Sequence, residues 1–231
     1  PNMDSNIGKK DDVVIIPHMY GFPIRFSKRS GVKYIEDACQ SLGATIDKKP
    51  TGLHGDVSVF SFYATKMITS GGFGGMLISK NKKHVDEVID YIVYDKKNDG
   101  NRRFNFQMGD LQAAIGREQL RKLPNFLERR EKIFRKYKDA GLDILDVPTE
   151  DSQVLQPARY RAVMKTKNQI KTIKSLKDNG IITEILNNEW ILSQNPSKFP
   201  NSLNMVHNTI SLPIYPSLSD ENIEKIIAAL P

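Results

Sequence analysis

The chain has 231 residues, of which 39% are hydrophobic and 26% charged, and its formal net charge at pH 7 is +7. This length accommodates one large or two small domains, and no apolar run approaches the length of a membrane span. The first residues carry no signal-peptide pattern, so we expect a cytoplasmic protein. A single cysteine, Cys39, excludes an internal disulfide and cannot form a zinc site alone.

The first half of the chain alternates short apolar runs with more polar stretches, which is typical of strands joined by crossovers in an open α/β sheet. Four runs are predicted to be strands: 13–16, 32–35, 57–60 and 75–78. Asp37 and Ser61 follow the second and third of these runs, and His18 follows the first. Ligands of open α/β sheets bind beyond the strand ends, so Asp37 and Ser61 are placed as a cofactor would need. For His18 we expect a backbone hydrogen-bond partner.

Two helices are predicted in the middle of the chain. Asp110 can cap the first, whose apolar residues recur at helical spacing as far as Pro124. Asn125 and Glu128 form a capping pair for the second, and Gly141 ends it. The second helix is expected to carry the chain out of the first domain.

The last part of the chain is predicted to form a small α+β domain. Its expected elements are a strand at 160–164, a helix at 170–179 ended by Gly180, and a serine-capped helix at 219–230. We therefore predict two domains. The first, a partial cofactor-binding domain, covers residues 1–124, and the second covers 125–231 and consists of the linking helix and the small domain.

A lysine at the end of one apolar run indicates chemistry rather than structure. Lys66 closes the segment Ser-Phe-Tyr-Ala-Thr-Lys at 61–66, and a glycine-rich stretch follows at 71–75. An aldehyde cofactor is held as a Schiff base on a lysine amine, and its pyridine nitrogen needs a carboxylate in order to stay protonated. Lys66 and Asp37 can supply these two groups. The pattern predicts a site for pyridoxal 5'-phosphate.

Four ordered blocks carry a resemblance to a known family: 36–43 (Glu-Asp-Ala-Cys-Gln-Ser-Leu-Gly), 61–66, 71–75, and 105–116, which ends in Ala-Ala-Ile-Gly. In these blocks the chain resembles the DegT/DnrJ/EryC1/StrS sugar aminotransferases, which use pyridoxal phosphate. The resemblance implies an α/β protein of fold type I, like aspartate aminotransferase. Such a protein has a mixed, mostly parallel sheet flanked by helices and a small α+β C-terminal domain.

The resemblance also implies a role for five residues. Lys66 would hold the cofactor as a Schiff base and act as the catalytic acid and base, and Asp37 would pair with the pyridine nitrogen. Gln40 would lie near the ring hydroxyl, and Ser61 would bind the phosphate. Asn105 would reach the cofactor of the neighbouring subunit, which implies a homodimer.

The chain departs from the family pattern in several places. Gln107 stands where the family has arginine, and no glutamate precedes Gly74 and Gly75. The family's N-terminal part, with its phosphate-binding helix terminus and ring-stacking aromatic residue, has no counterpart, so we expect it to be missing from this sequence. The connection at 21–31 is also too short for a crossover helix before Val32, and we expect that segments of a longer chain are omitted.

The resemblance implies that an amino group is moved from glutamate to a nucleotide-linked keto-sugar, in amino-sugar biosynthesis for cell-surface polysaccharide. A non-catalytic or regulatory paralogue is an alternative, favoured by Gln107. A sugar dehydratase that uses pyridoxamine phosphate is another, but those relatives carry histidine where Lys66 stands. A nucleic-acid-binding module would use the basic stretch 117–138, whose interleaved glutamates indicate a solvated helix face instead. We expect no nucleic-acid, membrane or metal partner.

Overall fold

The computed structural model describes residues 7–185 and 196–231. The chain divides into two compact units. The first comprises Pro1–Pro124 and Val147–Ala158, and the second comprises Asn125–Asp146 and Arg159–Pro231. Within the described residues, no helix combines the length and the apolar character needed to cross a bilayer.

The first unit is built on a four-stranded sheet. The first six strands of the unit, in chain order, are β1 (Val13–Pro17), β2 (Lys33–Asp37), β3 (Thr45–Ile46), β4 (Lys49–Pro50), β5 (Val57–Ser61) and β6 (Gly75–Ser79). The main sheet has the order β1-β2-β5-β6, in which the first three strands are parallel and β6 is antiparallel to β5. All four predicted strands are confirmed to within two residues. The sheet is mixed and mostly parallel.

A second, smaller sheet lies in the same unit. Strands β3 and β4 form an antiparallel hairpin, and β7 (Leu155–Gln156) pairs with the other side of β3. Because β7 belongs to residues 147–158, this stretch returns to the first unit after the long helix. The first described α-helix, α1 (Lys82–Ile92), begins at Asn81, whose side chain accepts the N–H of Lys83.

The connection from β1 to β2 contains no α-helix in residues 18–32, all of which are described; its one helical segment is a 3₁₀ turn at Met19–Gly21. An extended stretch then packs on the sheet instead. The ring of Phe26 stacks on that of Tyr34, with centroids 5.5 Å apart, beside the buried Ile16. The short connection thus covers one face of β1 and β2 with apolar side chains where a crossover helix would usually lie.

The predicted break at Pro124 is wrong. A single helix, α2 (Asp110–Asp139), runs through Pro124, so Asn125 lies inside it and does not cap a second helix. A proline inside a helix removes one backbone hydrogen bond and costs about 3 kcal/mol, which the packing of a long apolar face can offset. The predicted end is confirmed, since Gly141 has φ +79° and Leu142 N–H bonds to Tyr137 O at 3.2 Å.

The second unit has a small α+β arrangement. Its elements are the antiparallel pair β8 (Ala162–Lys165) and β9 (Thr209–Leu212), with α3 (Gln169–Asp178), α4 (Pro200–Asn208) and α5 (Asp220–Ala228). The C-terminal half of α2 contributes Ile133, Phe134 and Tyr137 to a core shared with Leu176 and Ile223. The predicted strand and both predicted helices are present to within two residues. The Oγ of Ser219 caps α5 by accepting the N–H of Asn222 at 3.2 Å.

Candidate functional site

The C-terminal ends of three parallel strands bring the predicted site residues to one edge of the main sheet. Asp37 is level with Pro17 on β1 and with Val59 on β5. Ser61 lies two residues beyond Val59, opposite Gly75 at the start of the antiparallel β6. This edge is therefore lined by the segment after β2, the end of β5 and the glycine-rich turn.

Asp37 is half-buried at this edge and is held by the turn that follows it. Its Oδ1 accepts the backbone N–H of Cys39 at 3.0 Å. Residues 39–43 form turns. The bond from Cys39 restricts rotation of the carboxylate, and its second oxygen can still accept a hydrogen bond.

The charges of Asp37 and Lys66 both act on the pKa of the Cys39 thiol. Burial raises the pKa of Cys39 to about 12, the hydrogen bond and negative charge of Asp37 raise it as well, and the positive charge of Lys66 acts in the opposite direction. Two opposite charges can influence one thiol only if both lie near it. The strand register agrees, because Asp37 at the end of β2 is level with Val59 on β5, seven residues before Lys66. At neutral pH the thiol is protonated and packed, not nucleophilic.

Lys66 is half-buried and sits on a backbone that is fixed on both sides. Its N–H bonds to Tyr63 O at 3.0 Å, which closes a tight turn. The next two residues, Met67 and Ile68, are buried in the core of the unit. A lysine on a mobile surface loop would lack this anchoring, so the amine of Lys66 projects from a rigid support.

Ser61 and the glycine-rich turn are locked together. Ser61 Oγ accepts the N–H of Tyr63 at 3.3 Å, and Phe62 N–H bonds to Gly74 O at 2.8 Å. A Cβ on Gly74 would collide with the hydroxyl of Ser70, and one on Gly75 would lie 2.8 Å from the carbonyl oxygen of Phe60. Glycine is required at Gly75 because the turn passes so close to the end of β5, and at Gly74 because the Ser70 side chain occupies the space that a Cβ would need.

Gln40 faces the loop that follows β1. Its Oε1 accepts the backbone N–H of Tyr20 at 2.7 Å, so the amide nitrogen Nε2 is the donor end of this side chain. In the same loop, His18 has the backbone partner that was predicted, since Nδ1 accepts the N–H of Ile24 at 3.0 Å.

Sequence reasoning missed Glu36, which is fully buried beside His18. Its carboxylate accepts three backbone N–H groups, from Gly52 (3.1 Å), His54 (2.9 Å) and Gly55 (3.2 Å), and approaches the Ser58 hydroxyl and His18 Nε2, both at 3.4 Å. The signal was present in the strand alternation. Glu36 shares its face of β2 with Tyr34, an apolar position, and a carboxylate buried there needs several donors.

Asn105 lies elsewhere in the first unit. It is exposed in the connection between α1 and α2 and lines a groove of about 660 Å³ together with Gln107 and the glycine-rich turn. Among the described residues, the lining of this groove includes neither Asp37 nor Lys66. Arg103 holds the connection in place through ion pairs to carboxylates at 2.9 and 2.6 Å, and Gln107 Nε2 donates to Ile92 O at 3.3 Å.

The structure therefore brings Asp37, Ser61 and Lys66 to one sheet edge and adds Gln40 through the adjoining turn. Asn105 lies in a groove that adjoins this edge through Gly74 and Gly75. Within residues 7–185 and 196–231, no three acidic, histidine or cysteine side chains cluster as metal ligands would.

The chain belongs to the DegT/DnrJ/EryC1/StrS aminotransferase family, whose model matches residues 2–231. It has 26% identity to GDP-perosamine synthase of Escherichia coli O157:H7, over 96% of this chain and 65% of that protein. Among solved structures, it resembles the putative sugar aminotransferase Spr1654 of Streptococcus pneumoniae in its PLP-form. That match has 19% identity and a TM-score of 0.82 and covers 94% of this chain and 67% of that one.

A second solved structure with the same fold is DesV of S. venezuelae in complex with a ketimine intermediate. The identity is 22% and the TM-score 0.83, with 94% of this chain and 64% of that one covered. These likenesses confirm the fold as type I of the pyridoxal-phosphate-dependent transferases. The chain spans about two thirds of the length of each of these three proteins.

Proposed function

We propose that this protein is a pyridoxal-phosphate-dependent aminotransferase that moves an amino group from glutamate to a nucleotide-linked keto-sugar. The placement of Asp37 at the end of β2, and of Lys66 in the turn just beyond the end of the neighbouring parallel strand β5, carries the proposal. It unites an amine and a carboxylate at the edge of the sheet where ligands of α/β proteins bind. Family membership supports the amino-group chemistry, and the similarity to GDP-perosamine synthase supports a nucleotide-linked sugar.

The residues present fit the cofactor by their chemistry. Lys66 offers an amine for its aldehyde and Asp37 a carboxylate for its pyridine nitrogen. Ser61 offers a hydroxyl for its phosphate, and Gln40 presents the amide donor Nε2, since its Oε1 is already bonded to Tyr20 N–H. Bound pyridoxal phosphate withdraws electrons from the carbon that carries the amino group, so that a proton can leave that carbon.

The protein's own groups then divide the work. Lys66 Nζ would hold the cofactor by its aldehyde and, once the amino-acid substrate displaces it, would act as the base and then as the acid that moves the proton. Asp37 keeps the pyridine nitrogen protonated. The bond from Cys39 N–H to Asp37 Oδ1 holds the carboxylate in one orientation while this happens.

Asn105 serves a second subunit in this proposal, and the protein acts as a cytoplasmic homodimer. The groove beside Asn105 is lined by large exposed apolar side chains, of which Phe73 is 81% exposed and Phe106 67%. Side chains of this size are seldom left in water in such a group, and a second copy of the chain would cover them.

The first test is the visible absorption spectrum of the purified protein with added pyridoxal phosphate, before and after glutamate. We expect a Schiff-base band that glutamate bleaches. Lys66→Ala and the charge-preserving Lys66→Arg should both lack it, because neither can form the imine under these conditions. If the folded wild-type protein shows no band, the enzyme proposal is wrong.

One observation favours a second candidate, a non-catalytic paralogue. Gln107 replaces the arginine of the family pattern, and its amide bonds to the backbone at Ile92. A paralogue would give no band at any cofactor concentration while keeping the unfolding temperature of a folded protein. The same spectrum therefore distinguishes the two candidates.

A further inference from the structure

We infer that the buried His18–Glu36 pair positions a residue of the cofactor site without contacting the cofactor. It holds the loop after β1 so that Tyr20 N–H fixes the amide of Gln40 with Nε2 as the donor toward the cofactor. Neither residue touches the cofactor in this view, and both act through Gln40. The inference rests on the proposed function only for the identity of the ligand.

The first step is the anchoring of Glu36. Its carboxylate is fully buried, and the segment 52–55 wraps around it with three backbone N–H groups directed at its oxygens. The glycines make this approach possible. A Cβ on Gly55 would lie 3.0 Å from Tyr34 O, and one on Gly52 would collide with the ring of Phe60. Glu36 is thus a fixed point on β2.

The second step is the link from this point to the loop. His18 Nδ1 accepts the N–H of Ile24 at 3.0 Å, so Nδ1 carries no proton. The neutral ring then has its proton on Nε2, which lies 3.4 Å from Glu36 Oε2. One side chain, itself fully buried, therefore ties the far end of the loop at Ile24 to the strand that carries Asp37.

The third step is the contact from the loop to the site. Tyr20 lies between His18 and Ile24 with a left-handed φ of +59°, a conformation that a tyrosine adopts only when its surroundings impose it. Its N–H reaches Gln40 Oε1 at 2.7 Å. A primary amide can be bound in two orientations, and this bond selects the one in which Nε2 is available as donor.

The charge state of Glu36 suits this arrangement. Burial raises the pKa of its carboxyl, but hydrogen bonds from His18 and from the N–H groups of His54 and Gly55 outweigh burial and hold the pKa below its usual 4.5. The carboxylate is charged at neutral pH and attracts all of its donors. Removal of one donor leaves a buried charge short of a partner, so the pair resists loosening.

The test compares two readouts in variants of the whole chain. His18→Asn keeps an acceptor near Ile24 but is too short to reach Glu36. In the cofactor-free protein, we expect amide exchange at Tyr20 to become about fivefold faster, which corresponds to the loss of one hydrogen bond. In the presence of pyridoxal phosphate, the Kd should rise by the same factor as in Gln40→Ala. The double variant should bind no more weakly than either single variant.

Ser58→Ala is the matched control. It removes another partner of Glu36, at 3.4 Å, and leaves the contact between Glu36 and His18 intact. We expect it to lower the unfolding temperature without changing Tyr20 exchange or the Kd. If His18→Asn does not fold, His18→Gln takes its place, since it can reach Glu36 but not hold Ile24.

Unchanged exchange at Tyr20 in the His18 variant would overturn the inference, and so would additive losses of affinity in the double variant. Failure of the wild-type protein to bind pyridoxal phosphate would instead overturn the proposed function. The exchange measurement does not involve the cofactor and would still decide whether the pair holds the loop.

Discussion

At the scale of single residues, the site depends on a few polar and charged side chains held by backbone groups. Asp37 is oriented by the N–H of Cys39, Gln40 by the N–H of Tyr20, and Glu36 by three N–H groups of a glycine-containing loop. Backbone donors cannot change rotamer, so they fix a side chain more firmly than a flexible partner would. Preorganisation of this kind is what binding a cofactor in one geometry requires.

Cys39 provides a measurement of this geometry that needs no cofactor. Since its pKa is raised from 9.0 to about 12, the thiolate fraction near pH 8 is about 1,000-fold below that of an ordinary thiol, and alkylation by iodoacetamide should be correspondingly slow. Asp37→Asn removes the charge that raises the pKa, so the thiolate should become more abundant and the reaction faster. Lys66→Ala removes the charge that lowers it and should slow the reaction. Equal rates in the three proteins would show that these charges are not close to the thiol.

At the scale of elements, helix ends and strand bounds follow local rules with one exception. The predicted ends at Gly141 and Gly180 are both present, and each glycine has a positive φ and the paired backbone bonds of a Schellman motif. The exception is Pro124, where the local rule predicted a boundary and the helix continues. A proline weakens a helix by a bounded amount, so the burial of Ile133, Phe134 and Tyr137 in the half of α2 that follows it can offset the cost and keep the helix continuous.

The glycine at the end of α2 should be needed for its backbone conformation alone. Gly141 has φ +79° and open space around the position of a Cβ, so Gly141→Ala should destabilise the fold by about 1 kcal/mol through strain and not through collision. Gly116→Ala is the control within the same helix. Its Cβ would meet the Ser70 side chain at an ordinary 3.6 Å, and alanine should stabilise the helix by roughly 0.5–1 kcal/mol. Urea unfolding measures the change in the free energy of unfolding for each variant. A change of the same sign in both variants would contradict this account.

At the scale of the whole molecule, the main question is how Asn105 takes part in the site. Its groove carries apolar side chains that are largely exposed, and it does not include Lys66 or Asp37 in the described residues. Both observations are accounted for if a second copy of the chain covers this surface and completes its own site with Asn105.

Mixing two defective variants tests this arrangement. Lys66→Ala and Asn105→Ala should each lose the glutamate-dependent bleaching or show it weakly. After unfolding and refolding together, half of the dimers should contain one of each chain, and one of their two sites should have both residues intact. About one quarter of the wild-type signal should therefore return. Light scattering should give twice the 26.2 kDa mass of one chain. A monomer, or no recovery on mixing, would contradict the shared site.

Much of this protein could be inferred from the order of its residues. The four strands, the helix ends at glycine, the serine cap of α5 and the ordered motif blocks are local signals that involve residues close together in the chain. They were sufficient for the fold class and the family. Candidate roles for Lys66, Asp37, Gln40, Ser61 and Asn105 came from those blocks, and they remain proposals.

Other features required the folded chain. Glu36 was passed over because its partners come from His18, from the segment 52–55 and from Ser58, which meet only after strands distant in sequence have paired. The continuity of α2 through Pro124 had the same origin, since tertiary burial outweighed a local penalty. Local pattern determines which elements form, because short-range sterics and hydrogen bonding act between near neighbours. Contacts between distant segments determine which buried polar groups find partners, and these depend on the packing of the whole unit.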